Sequence, residues 1–169
     1  MNLLETTGLT VDFGGLHAND HVDISVERGS FVGLIGPNGA GKTTFIDAIT
    51  GFVPISAGSV LFDSEPIDDL APHERARRGL TRTFQQLELF EDLTIGDNLL
   101  AAAEDPKWTD VVMEILRPGR PSPHAADVDW ALGAVGLGET FDQFPSELSH
   151  GRRKLVSVAR ALASRPQLL

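Results

Sequence analysis

Apolar and polar residues alternate through the first third of the chain, and then their spacing changes. Residues 9–13, 22–26 and 31–35 carry apolar side chains at alternate places or in short runs. Gly14-Gly15 and Arg28-Gly29 punctuate them, so three strands with turns between are predicted, and a further one at 60–62. Residues 43–50 break the rhythm. Phe45, Ile46 and Ile49 fall on one face of a helix, and Gly51 follows as its stop.

From Pro72 onward the spacing is mostly helical. Pro72 suits the first turn of a helix over 73–78, and a short strand is expected at 80–84. Three more helices are predicted at 94–103, 108–116 and 125–135, with RPGRPSP at 117–123 as a surface loop. The last helix, 151–163, places Leu155, Val158, Ala159 and Leu162 on one buried face. Its first turn holds Arg152, Arg153 and Lys154, where the helix dipole is already positive, so this end is expected to face an anion. Ser164-Arg165-Pro166 stops it, and Leu168-Leu169 begins another apolar segment. No internal repeat interrupts the series.

Composition narrows the classes. With 169 residues, 41% hydrophobic and 22% charged, the chain suits one globular domain. A formal charge of -10 argues against sequence-independent nucleic-acid binding, which needs Lys and Arg against phosphates, but allows a local anion site. The absence of cysteine excludes disulfides and thiolate metal sites. No stretch approaches the roughly 20 apolar residues of a membrane span, so any membrane role is expected through a partner.

The most specific chemistry lies in GLIGPNGAGKTTF. Gly36, Pro37, Asn38, Gly39, Ala40, Gly41, Lys42 and Thr43 satisfy G-x-x-x-x-G-K-[ST] between a predicted strand and a predicted helix, with Thr44 following. Glycines let backbone N–H groups turn inward around phosphate oxygens, and the helix N-terminus adds its dipole. Lys42 neutralises the outer phosphates, and the Thr43 hydroxyl can ligate Mg²⁺.

A second segment, ELSHGRRKLVSVARALA, narrows the class of phosphate loop. Together the two resemble the ATP-binding-cassette (ABC) ATPases, whose signature LSGGQ precedes a basic, alanine-rich helix. Leu148, Ser149 and Gly151 match that signature, while His150 stands in place of its first glycine and Arg152 in place of its glutamine. The resemblance implies that Gln85, after Thr83-Phe84 and beside its decoy Gln86, links nucleotide and Mg²⁺ to a helical subdomain. It also implies that Phe13 stacks on adenine. FGGLHA, VGLIGPNGAGKTTFIDAITGFVPISAG, PHERARRGLTRTFQQLELFEDLTIGDNLL and RALASRPQLL look like the ATP-binding subunits of branched-chain amino acid importers.

That resemblance implies an α/β fold: a P-loop ABC-type core with an N-terminal antiparallel β-subdomain and a helical subdomain. Residues 1–85 would hold the β-subdomain and P-loop core, 86–148 the helical subdomain, and 149–169 the signature segment and its helix. It implies ATP and Mg²⁺ as ligands, and a second cassette, identical or different, whose nucleotide meets Ser149, His150, Gly151 and Arg152 in trans. Permease subunits, and indirectly an extracytoplasmic solute-binding protein, would complete an importer on the cytoplasmic face of the inner membrane. The solute implied is a branched-chain amino acid, with urea or another amide-like solute as the near alternative.

In the family, RP-x-LL leads into the Walker B strand, so its Asp and Glu are expected beyond Leu169, and none of His17, His21, His73, His124 and His150 is placed as the switch histidine. The chain is therefore expected to be the first part of a longer ATPase, inactive and poorly stable alone. A non-catalytic ATP-binding fragment or pseudogene product is the alternative. A DNA-maintenance ABC ATPase would need long heptad arms, which are missing here. A GTPase would need an Asn/Thr-Lys-x-Asp motif, and Lys42, Lys107 and Lys154, the only lysines, lie in no such context.

Overall fold

The computed structural model describes residues 1–83, 89–103 and 122–169, which form two compact units, Met1–Arg78 and Gly79–Gln167. In the first unit, β1 (Asn2–Phe13) and β2 (Leu16–Glu27) form a long hairpin. Gly14 and Gly15 turn it with φ of 57° and 97°, which only glycine adopts freely. With β3 (Ala57–Phe62) and β4 (Glu65–Pro66) these make an antiparallel sheet of order β2-β1-β3-β4.

The predicted strands at 9–13 and 22–26 are parts of much longer ones, because ladder bonding carries polar residues along with apolar ones. Buried Thr6 shows how: its Oγ1 donates to the Val22 carbonyl (3.0 Å) and accepts from the Ile24 N–H (2.9 Å). Leu3, Leu4, Leu9, Val11, Val60 and Phe62 of the sheet are buried, as are Phe45, Ala48 and Ile49 of α1 (Lys42–Ile49). Gly51 closes α1 as expected, with φ 83° and its N–H on the Ala48 carbonyl at 3.1 Å. Pro72 opens α2 (Pro72–Arg77), and the Glu74 carboxylate accepts the Ala71 N–H at 2.8 Å.

Two predicted strands are corrected. Residues 31–35 form no strand: Phe31 is 104% and Ile35 91% exposed, with Val32 and Leu34 also exposed. Apolar side chains do not hold an extended segment without a ladder partner, and among the described residues none pairs with it. At 80–84 only Leu80 makes a bridge, 81–83 are irregular, and Phe84 lies outside the described residues.

The second unit packs α3 (Ile95–Ala103), α4 (Ala125–Ala134) and α5 (His150–Ala163) around Leu99, Val128, Leu132, Leu137, Val156 and Ala159. Two 3₁₀ turns, Gly138–Thr140 and Pro145–Glu147, lead into α5. Fully buried Asn98 organises the entry to α3: Oδ1 accepts from the Phe90 N–H (2.8 Å), and Nδ2 donates to the carbonyls of Phe90, Leu93 and Thr94 (3.0, 3.2 and 2.9 Å). The buried face of α5 is corrected in part, since Ala159 is buried and Leu162 packs against the core as expected. Leu155 is exposed, and Val156, Ala159 and Ala163 face the core, because α3 and α4 both pack on α5 and small side chains permit the approach. The predicted helix at 108–116 and the loop at 117–121 lie outside the described residues.

Arg75, only 3% exposed, ties α2 to the end of α1. Nη1 donates to the Ala48 and Ile49 carbonyls (2.8 and 2.9 Å), Nε to Leu70 and Nη2 to Asp68 (both 2.9 Å). Burial lowers its pKa, with Asp68 opposing. Arg75→Ala would leave those carbonyls and a cavity behind, a loss of about 2–4 kcal/mol in denaturant unfolding. A loss under about 0.5 kcal/mol would contradict the role assigned to it.

At the start of α4, Arg165 Nε donates to Asp127 at 2.7 Å and covers the Trp130 ring at 3.8 Å from its centroid. The bond from Arg165, and then that from His124, hold the Asp127 carboxyl below its usual range. A depressed carboxyl stabilises the fold above its unfolded pKa of about 3.9 and loses that contribution as pH falls through its folded value. In a Trp108→Phe background, Trp130 emission should therefore stay constant from about pH 7 to 5 and change below about pH 4. The same acid transition in Asp127→Asn would assign it to another group.

Candidate nucleotide site

The glycine-rich loop leads into α1 and is exposed through Ala40. Ala40 N–H closes it on the Pro37 carbonyl at 3.3 Å, and Gly39 and Gly41 take φ of 83° and 79°. Gly41 is the N-cap of α1, and no side-chain cap bond occupies that end. The first amides of a helix have no acceptor within it, so those of Lys42, Thr43 and Thr44 point out of its N-terminus. The Thr43 hydroxyl is on an exposed residue, whereas Thr44 is half-buried. Asn38 is exposed beside the closing turn.

Lys42 folds back over the loop. Its Nζ donates to the carbonyls of Gly36 (2.7 Å) and Pro37 (2.6 Å). Those bonds place the ammonium beside the loop rather than in solvent, and leave one of its three donors for another acceptor. The loop also fits closely against the sheet. A Cβ on Gly41 would collide with the Ala18 carbonyl oxygen and lie 2.8 Å from Asn19 Nδ2. Amides, a lysine, an open hydroxyl and a glycine without room for a side chain suit a polyphosphate with its cation.

Phe13 ends β1 at the hairpin tip, opposite Leu16, and is 51% exposed. Gln85, with Gln86, lies outside the described residues.

The signature residues belong to the second unit. Ser149 is the N-cap of α5, accepting the Arg152 N–H at 3.4 Å, and His150 and Gly151 are exposed in the first turn. A Cβ on Gly151 would meet nothing within 4 Å. Two of the basic residues in this turn also have carboxylate partners within their own unit. Arg152 bonds Glu139 at 2.7 Å, and Arg153 bonds Glu91 at 2.8 Å and the Pro145 carbonyl at 2.7 Å. Glu139's own backbone N–H, and then Arg152, hold its carboxyl below the usual range.

Two residues missed by sequence reasoning frame α1. Asn19 donates from Nδ2 to the Gly41 carbonyl at 3.3 Å, and Arg75 bonds the carbonyls at the other end. Asn19 lies before the predicted strand at 22–26, so no local pattern marked it. In ERARR nothing distinguishes Arg75 from Arg77 and Arg78.

The ABC transporter family model matches residues 19–169. The high-affinity branched-chain amino acid transport ATP-binding protein BraF of Pseudomonas aeruginosa is 36% identical over 171 residues, 99% of this chain and 67% of BraF. LivG of Escherichia coli strain K12, of the same description, is 34% identical over 172 residues, 99% of this chain and 67% of LivG. The spermidine/putrescine import ATP-binding protein PotA of Chromobacterium violaceum is 36% identical over all of this chain and 43% of its own length. Among solved structures, a nucleotide-free ATP-binding cassette from an ABC transporter matches with TM-score 0.81 and 33% identity, over 98% of this chain and 66% of that one. A cassette in its ADP conformation matches with TM-score 0.82 and 32% identity, over the same shares. The chain spans about two thirds of the length of BraF, LivG and these cassettes.

Removing the ammonium with Lys42→Ala should weaken Mg-ATP binding by about 2–4 kcal/mol, a factor of roughly 30 to 1,000, in calorimetry. Gly41→Ala should do at least as much, because its Cβ has no space. Lys154→Ala serves as control, and equal affinities in all three would remove the loop from the site.

Proposed function

Because this chain belongs to the ABC transporter family, we propose that it is the nucleotide-binding part of an importer's ATP-binding subunit, coupling ATP binding and hydrolysis to solute uptake. One observation carries the reading: a glycine-lined loop seated on the sheet at Gly41, with Lys42 arched over it and the N-terminus of α1 uncapped. Gly36 to Thr44 hold the phosphates, Lys42 compensates their charge, and the Thr43 hydroxyl with Gln85 takes Mg²⁺. Phe13 offers its exposed ring to the adenine. These residues bind and orient ATP, and none of them is assigned as the base that activates water.

Ser149, His150, Gly151 and Arg152 serve the nucleotide of a second cassette in trans. The surroundings of Gly151 support this, since among the described residues a Cβ there would meet nothing within 4 Å. Among the described residues no helix is long and apolar enough to cross a membrane. In this reading permease subunits hold the cassette at the cytoplasmic face. The names of BraF and LivG support a branched-chain amino acid as the solute, whereas that of PotA supports a polyamine. Uptake of labelled leucine, urea and putrescine by cells carrying the chain with its permease partners separates these solutes.

The trans reading has its own test. In sedimentation velocity with Mg-ATP, Gly151→Asp should abolish ATP-driven dimerisation and leave monomer affinity for ATP within about twofold, since the new side chain meets open space at home. Dimerisation equal to wild type would reduce the signature to a helix cap.

A further inference from the structure

Resting on the nucleotide reading of the loop, we propose that Asn19 is a positioning residue for it. Its carboxamide fixes the peptide that starts α1, at a cost to the stability of the ligand-free chain.

Strand β2 is bent to bring Asn19 inward. Toward its end Val22, Ile24 and Val26 alternate with exposed Asp23 and Ser25. Unbroken alternation would place Ala18 and Asp20 on that inner face and turn Asn19 outward. Instead Asp20 is exposed and Asn19 only 8% exposed. The phase changes where His21 takes φ of 47°, a left-handed conformation costly for a side chain other than glycine, and where the β1–β2 register slips on both sides of Val11↔Asn19.

Stability does not explain this arrangement. Among the described residues the buried Asn19 Oδ1 has no hydrogen-bond partner. An apolar side chain of similar size would remove that unmet acceptor. What the amide does make is one bond, from Nδ2 to the Gly41 carbonyl at 3.3 Å. The same carbonyl accepts the Phe45 N–H at 2.8 Å, the first bond of α1. Gly41 C=O and Lys42 N–H belong to one planar trans peptide, so two donors holding the oxygen direct the Lys42 N–H oppositely, out of the helix N-terminus. Asn19 thereby aims an amide on which phosphate binding depends.

The test pairs stability with affinity in the 169-residue chain, using Asn19→Val, and Asn19→Asp as an isostere that cannot donate when ionised. Asn19→Val should melt at or above wild type yet bind Mg-ATP roughly tenfold more weakly, the share of one hydrogen bond. Asn19→Asp, with a carboxylate against the Gly41 carbonyl, should bind more weakly still. Affinity within twofold of wild type in a folded Val variant, or in the Asp variant if Val fails to fold, overturns the proposal. So does a Val variant that loses stability and affinity together, which would make Asn19 a packing residue. Failure of the wild type to bind Mg-ATP overturns the nucleotide reading itself and this inference with it.

Discussion

The fit of Gly41 against the backbone of β2 is the constraint on which the first unit turns. An eight-residue helix is too short to persist alone in water, so α1 exists because it is held from outside. Its start is fixed where Gly41 meets Ala18 and Asn19, its end where Arg75 takes the Ala48 and Ile49 carbonyls, and one face where Phe45, Ala48 and Ile49 are buried. The sheet is thus the surface that sets the direction of α1's free amides. The loop before it can remain exposed through Ala40, because the residues that orient those amides lie behind it.

The second unit fixes a helix start by other means. Ser149 caps α5, and Arg153 joins its first turn to Glu91 and to the Pro145 carbonyl. Arg152 adds Glu139. Surface pairs of this kind contribute little stability each, so their combined effect is chiefly orientation. A Cβ on Gly151, in the same turn, would meet nothing within 4 Å among the described residues. In both units a helix N-terminus is held by groups outside its own first turn.

Residues whose partners are near in sequence were legible from the sequence. The Gly14-Gly15 hairpin, the Pro72 start of α2, the Gly51 stop and the span of α3 all follow from local rules. What the sequence concealed depended on distant partners. Residues 31–35 have the apolar pattern of a strand, but a strand is a relation between two segments, and no described segment supplies the other. The face of α5 was rotated by α3 and α4, whose positions periodicity does not encode. Arg152 and Arg153 looked like unmatched charge because Glu139 and Glu91 lie 13 and 62 residues away. Asn19 and Arg75 were hidden for the same reason: an amide and a guanidinium reveal their acceptors only when the chain has folded.

A formal charge of -10 would repel an anionic nucleotide at long range, so the recognition proposed at this loop has to be a matter of contact. Salt screens charges beyond about 8 Å at physiological ionic strength, whereas amides and an ammonium at hydrogen-bond distance act inside that length. Their effectiveness then depends on being aimed before the ligand arrives, because each group ordered during binding subtracts from the affinity. Lys42 is already drawn to the Gly36 and Pro37 carbonyls, and the Gly41 peptide is already held by Phe45 and Asn19. On the proposed reading, an acidic chain binds an anion here because a small set of donors is oriented in advance, and that orientation comes from the sheet beneath the loop.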